Sequence, residues 1–217
     1  MTILFPFSAG SVVLFQGDSI TDAGRSREHD ADPGRGYVLM ASALYSARYP
    51  ESGATFLNRG LGGNTVKSLR DRWQADCLDL APSVVSILIG INDNAMAKLE
   101  NQSPTEAEFE AVYRELLKQT TERLGARLVL IEPFLLPNRE QYELWRQDVN
   151  LRIGVVRRLA REFRAAYVPM DGLLAAACAR ADASFWSKDG IHLTAAGHAL
   201  LAEAWLKAIG ELRPLLS

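Results

Sequence analysis

Sulfur is scarce in this sequence. Cys77 and Cys178 are the only cysteines among 217 residues, too few for a disulfide framework or a cysteine-held zinc cluster. Both fall in stretches that read as helix, so buried thiols in a reducing cytoplasm are expected. Long apolar runs are missing as well, since no window offers the eighteen or so uninterrupted apolar residues of a membrane span. The N-terminal Met1-Thr-Ile-Leu-Phe-Pro6 carries no Lys or Arg and is broken by Pro6, which is unlike a signal peptide. One-sided charge is absent too: the net charge is −2 at pH 7 and the basic residues are dispersed, leaving no footprint for nucleic acid or an anionic membrane. A small-molecule partner is what remains.

With 48% hydrophobic residues, the chain suffices for one sizeable core and is short for two, so residues 1–217 are expected to form a single domain. Short apolar runs rich in β-branched residues recur at Val12–Gln16, Ala54–Asn58, Val84–Ile89, Leu128–Glu132 and Ala166–Met170, separated by helix-period segments. Strands alternating with helices predict an α/β fold: a three-layer α/β/α arrangement around a five-stranded, doubly wound parallel sheet.

The first run stops at Gly17-Asp18-Ser19-Ile20-Thr21-Asp22, which places Ser19 at the carboxyl end of a strand, where ligands bind in open α/β sheets. A serine there becomes a nucleophile if a base reaches it. Alone, the same residues read more simply as turn and helix-start chemistry. The polar passage from Asp22 to Gly36 is either a loop over the pocket or a solvated surface loop. A helix from Tyr37 to about Tyr49 follows, ended by Pro50.

The second strand runs into Arg59-Gly-Leu-Gly-Gly63-Asn64-Thr65, with a helix from Val66 to Leu78 after it. Neither the dinucleotide-binding glycine spacing nor a P-loop is present, and tight-turn glycines are the simpler reading of this stretch alone. The third strand ends in Gly90-Ile91-Asn92-Asp93-Asn94. Asn92 can offer its amide to a pocket, and Asp93 and Asn94 suit a turn or a cap. Thr105 and Glu108 form a capping box before a packing helix that includes Tyr113 and ends at Gly125. The segment from about 138 to 163 reads as helix, its arginines Arg146, Arg152, Arg157, Arg158 and Arg161 on a solvated face. Trp145 on it packs internally or against another subunit.

Only three histidines are available as a base. His29 lies in a polar loop flanked by Glu28 and Asp30, and His198 sits inside the final helix as a packed or capping residue. His192 follows Asp189 by three positions in a loop before a helix that Thr194 caps, a spacing that suits an acid orienting a base. The chemistry this allows is proton transfer from Ser19 to His192, orientation of the imidazole by Asp189, and attack of Ser19 on an acyl carbonyl. The Ser19 and Gly63 N–H groups and the Asn92 amide are then the oxyanion donors.

Gly17-Asp18-Ser19-Ile20, the glycine turn ending Gly63-Asn-Thr, Gly90-Ile-Asn92-Asp93 and Asp189-Gly-Ile-His192 together resemble the four ordered blocks of the SGNH (GDSL-type) hydrolases. The likeness spans residues 12 to about 205. It implies the flavodoxin-like SGNH fold, with Ser19, Asp189 and His192 as catalytic triad and Ser19, Gly63 and Asn92 as oxyanion hole. No Gly-x-Ser-x-Gly elbow occurs, which disfavours the α/β-hydrolase version of this chemistry. More narrowly, Gly-Asp-Ser-Ile-Thr-Asp-x-Gly-Arg, Gly-Tyr-Val, Gly-Asn-Thr-Val and Ile-Gly-Ile-Asn-Asp are similar to intracellular bacterial acetylxylan esterases. That likeness implies a cytoplasmic, homo-oligomeric esterase acting on acetylated sugars without metal or cofactor. One departure stands out: the group carries an aromatic residue immediately before the triad Asp, whereas here Lys188 holds that place and Trp186 lies three positions before Asp189. A lipolytic lysophospholipase or thioesterase of the same superfamily is the alternative, and a non-catalytic carbohydrate-binding or assembly protein is the third reading.

Overall fold

Strands form where the apolar runs stand: β1 (Val12–Gly17), β2 (Thr55–Asn58), β3 (Val84–Leu88), β4 (Arg127–Ile131) and β5 (Ala166–Val168). The computed structural model describes residues 7–94 and 104–210, so the first six residues, read above as no leader, lie outside it. All five strands pair in parallel, in the order β2-β1-β3-β4-β5. In this doubly wound order the chain turns to opposite sides after β1 and β3, which opens a crevice at their carboxyl ends.

The helices are α1 (Ser19–Asp22), α2 (Tyr37–Arg48), α3 (Val66–Trp73), α4 (Glu106–Leu124), α5 (Tyr142–Glu162), α6 (Met170–Cys178), α7 (Ala183–Trp186) and α8 (Ala195–Ala208). Side chains alternate across each strand, and two apolar layers result. Val13 and Phe15 of β1 pack with residues of α2 and α8 on one face, whereas Leu14 packs with α3 and α4 on the other. Trp205 of α8 is fully buried. Its indole N–H donates to Ser86 Oγ of β3 at 3.0 Å, which satisfies two polar groups that would otherwise cost stability in the core. None of the described helices is long and apolar enough to cross a membrane.

Several boundaries differ from the sequence reading. The fifth strand stops at Val168, because Pro169 has no N–H for the ladder and stands at the N-cap of α6. The 138–163 segment is helical only from Tyr142. The stretch leading into it is used elsewhere: Leu136 N–H donates to the Gly190 carbonyl at 2.9 Å and Asn138 Nδ2 to the Ser187 carbonyl at 2.8 Å. The helix expected from Val66 to Leu78 is α-helical only to Trp73, the end of α3, and continues as a π-helical turn, Gln74–Leu78. Arg152 does not lie on a solvated face. It is 2% exposed, packs over the Phe109 ring at 5.2 Å and donates to the carbonyl of Asp93 at 3.1 Å. Arg158, by contrast, pairs at the surface with Glu106 and Glu110. Cys77 is a buried free thiol, whereas the free thiol of Cys178 is only partly buried.

Candidate active site

The site is built at the exits of β1, β2 and β3. Gly17 pairs level with Leu88, so β1 and β3 end at the same height. Asp18 caps α1 by accepting the Ile20 N–H on Oδ1 at 3.0 Å, and Ser19 is therefore the first residue of α1, partly open to solvent. Gly17 has to be glycine: a Cβ there would lie 2.5 Å from the Leu88 carbonyl oxygen.

β2 is the other neighbour of β1, and its exit folds back over α1. Gly60 approaches so closely that a Cβ would sit 2.3 Å from the Asp22 nitrogen. Asn58 Nδ2 donates to the carbonyls of Thr21 at 2.7 Å and Pro33 at 2.8 Å. Arg25 Nε reaches the Gly60 carbonyl at 3.0 Å. The passage from Asp22 to Gly36 is thus fastened beside the site. Gly62 passes over the serine, its Cβ position 3.8 Å from Ser19 Cβ. Gly63, in the left-handed region at φ +77°, faces open space.

From β3 come Asn92 and Asp93. Asn92 Nδ2 donates to the Asn64 carbonyl at 3.0 Å, which ties it to the glycine turn and leaves its second N–H for another acceptor. Asp93 is a cap: both its carboxylate oxygens accept from the Val66 N–H at the start of α3, at 3.0 and 3.2 Å.

The third contribution arrives from the far end of the chain. A closed loop precedes α8, with Ser187 and Leu193 bridged and the Lys188 N–H donating to the His192 carbonyl at 3.0 Å. Asp189 Oδ1 accepts the N–H groups of Ile191 and His192 at 3.0 and 2.7 Å. Its Oδ2 lies 2.7 Å from His192 Nδ1, and His192 Nε2 lies 3.0 Å from Ser19 Oγ. Burial raises the Asp189 carboxyl, but the His192 ring and the two backbone N–H groups together outweigh it and hold the group below its ordinary value. A carboxylate, an imidazole and a hydroxyl in line at these distances can move a proton off the hydroxyl while the ring is held in one tautomer.

The other histidines stand apart from that line. His29 is exposed in the 22–36 loop. His198 Nδ1 accepts the Tyr37 N–H at 3.1 Å, so it caps α2 from α8. Burial, helped by the charges of His192 and Lys188, pushes it down to about 4, which keeps it a neutral acceptor. Trp186 turns away to the Ala177 carbonyl at 3.1 Å, and Lys188 is exposed. Arg72, which holds the glycine turn through Asn64, carries no local motif that would mark it.

Residues 15–200 match the family of GDSL-like lipases and acylhydrolases. An acetylxylan esterase of Geobacillus stearothermophilus is 33% identical over 210 residues, covering 93% of this chain and 95% of its own. The crystal structure of Axe2, an acetylxylan esterase from Geobacillus stearothermophilus, superposes with a TM-score of 0.87 at 32% identity, covering 96% of this chain and 98% of that one. A protein of Parabacteroides merdae assigned to the GDSL-like lipases superposes with a TM-score of 0.89 at 37% identity, over 94% of this chain and 97% of its own.

Proposed function

This chain belongs to the family of GDSL-like lipases and acylhydrolases, and from that premise we propose that it is a serine esterase removing small acyl groups, acetyl above all, from carbohydrates such as acetylated xylo-oligosaccharides. The observation that carries the reading is the line from Asp189 Oδ2 through His192 to Ser19 Oγ, with contacts of 2.7 and 3.0 Å. Ser19 attacks the acyl carbon as its proton passes to His192 Nε2, and Asp189 stabilises the imidazolium. The ester C–O bond then breaks, and His192 returns the proton to the sugar hydroxyl that leaves. Water attacks the acyl-enzyme by the same route, releasing acetate and restoring Ser19.

Negative charge collects on the carbonyl oxygen in both steps. Its donors are the Ser19 N–H, which has no intrahelical acceptor at the first position of α1, the Gly63 N–H and the second N–H of Asn92. The sugar specificity draws its support from the Geobacillus relatives, which are named as acetylxylan and acetyl-xylooligosaccharide esterases. Single-domain organisation, self-assembly and a cytoplasmic location belong to the same proposal.

The test is hydrolysis of p-nitrophenyl esters of two to twelve carbons and of acetylated xylo-oligosaccharides by wild type and Ser19→Ala. Acetate should be preferred, the oligosaccharides deacetylated, and both activities reduced at least about 1000-fold in the variant. Preference for octanoate or longer would point to the lipolytic alternative. Activity unchanged in folded Ser19→Ala would remove the mechanism.

A further inference from the structure

One guanidinium holds together the parts that carry the oxyanion donors, although it touches none of the reacting groups. Arg72 stands at the end of α3, its side chain 15% exposed. Nε donates to Asn64 Oδ1 at 2.8 Å, Nη1 to Asp76 Oδ2 at 2.8 Å, and Nη2 reaches the Gly17 carbonyl at 3.4 Å. Asn64 in turn accepts Asn92 Nδ2 on its backbone carbonyl at 3.0 Å. A single planar fork thus links the exit of β1 to the glycine turn and, through Asn64, to the amide that follows β3.

The π-helical turn explains how the fork is aimed. Asp76 lies within it, and its backbone carbonyl accepts Gln16 Nε2 of β1 at 2.7 Å. The turn is pinned to the sheet, and with it the carboxylate that pairs with Arg72. An ordinary surface pair on a helix would leave both side chains free to sway. Here the arginine is mostly buried and spends its Nε on a neutral amide, a geometry a lysine cannot reproduce.

We infer that Arg72 is a positioning residue for the oxyanion hole, acting through Asn64 to set the direction of the Asn92 amide. This deepens the proposed esterase reading and rests on it. The two hydrogens of an Asn amide lie in one plane, about 120° apart, so anchoring one on the Asn64 carbonyl fixes where the other points. Freeing Asn64 lets that second hydrogen drift from the developing oxyanion. Deleting a donor costs about 100- to 1000-fold in rate; mis-aiming it should cost less, about 10- to 100-fold.

The experiment measures kcat and KM on p-nitrophenyl acetate for wild type, Arg72→Met, Asn64→Leu, Asn92→Ala and the double variant Arg72→Met/Asn92→Ala. Arg72→Met and Asn64→Leu should each lower kcat about 10- to 100-fold with KM within about twofold, the pattern of an interaction felt in the transition state. Once Asn92 is gone its aim no longer matters, so the double variant should match Asn92→Ala within about twofold. Losses that multiply in the double variant, or an Arg72→Met rate within twofold of wild type, overturn the inference. If Arg72→Met does not fold, Asn64→Leu reads the same link: an unchanged kcat overturns it and a matching loss supports it. A folded Asn92→Ala enzyme at full rate would instead remove the oxyanion assignment, and the positioning role with it.

Discussion

Asp18 stands directly before the serine and is 1% exposed. Its Oδ2 has no hydrogen-bond partner. Burial pushes its carboxyl up to about 7, with Asp93 acting in the same direction, against the Ile20 N–H and His192. The unfolded chain releases that proton near the ordinary value of 3.8. Between about pH 4 and 7 the folded state therefore binds more protons, so this group's contribution to stability falls as pH rises and is at its worst above 7. Asp18→Asn keeps the cap oxygen and removes the charge. It should melt higher than wild type at pH 8, by a margin that shrinks towards zero near pH 4. His198, held near 4, tilts stability the opposite way, losing it as pH falls below 6.5, but does so in both proteins. Thermal unfolding at pH 4, 6 and 8 checks this, and a constant margin would contradict it. At this scale the sequence spoke clearly where spacing is local, as in Asp189 and His192, whose three-residue offset is itself the hydrogen-bond geometry. It misplaced Arg152, whose helical position fits a solvated face but whose surroundings are the Asp93 carbonyl and the Phe109 ring.

The loop that presents His192 leans on the first turn of α8. Thr194 caps that helix, its Oγ1 accepting the Gly197 N–H at 3.3 Å, while its own N–H donates to the Trp186 carbonyl at 3.0 Å. A Cβ on Gly197 would lie 2.2 Å from that same carbonyl oxygen and 2.9 Å from Leu193. Because the nearest atom is backbone, Gly197→Ala must move the loop. We expect a loss of about 1–3 kcal/mol in stability and a fall in kcat on p-nitrophenyl acetate, since the shift passes directly to His192. Gly172 in α6 is the contrast: nothing lies within 4 Å of its Cβ position. Gly172→Ala should leave activity intact and stabilise by about 0.5–1 kcal/mol. Paired melting curves and initial rates read both, and equal behaviour of the two would refute the packing argument. The strands and the capped helices were legible from apolar runs, the Thr105 capping box and Gly125. The π-helical turn was not, because one extra residue in a turn leaves the apolar pattern of Trp73, Cys77 and Leu78 intact. Nor was the split at Pro169, where apolar residues continue from strand into helix.

Across the whole molecule, the order β2-β1-β3-β4-β5 sets the glycine turn on one side of Ser19 and Asn92 on the other. The loop before α8 then completes the site from 173 residues away. Such distances explain what local pattern could not disclose. Asp93 caps α3 across 27 positions and His198 caps α2 across 161, and their partners follow from topology rather than spacing. The central claim is that folding alone turns Ser19 into a nucleophile by bringing His192 to it. The most direct measurement is the intact and peptide mass of the protein after reaction with a small fluorophosphonate. A single adduct on Ser19 is expected in wild type, absent in Ser19→Ala and after unfolding in urea, and formed at least about 1000-fold more slowly in His192→Ala. An adduct on another residue, or equal labelling of Ser19 in His192→Ala, would contradict the account.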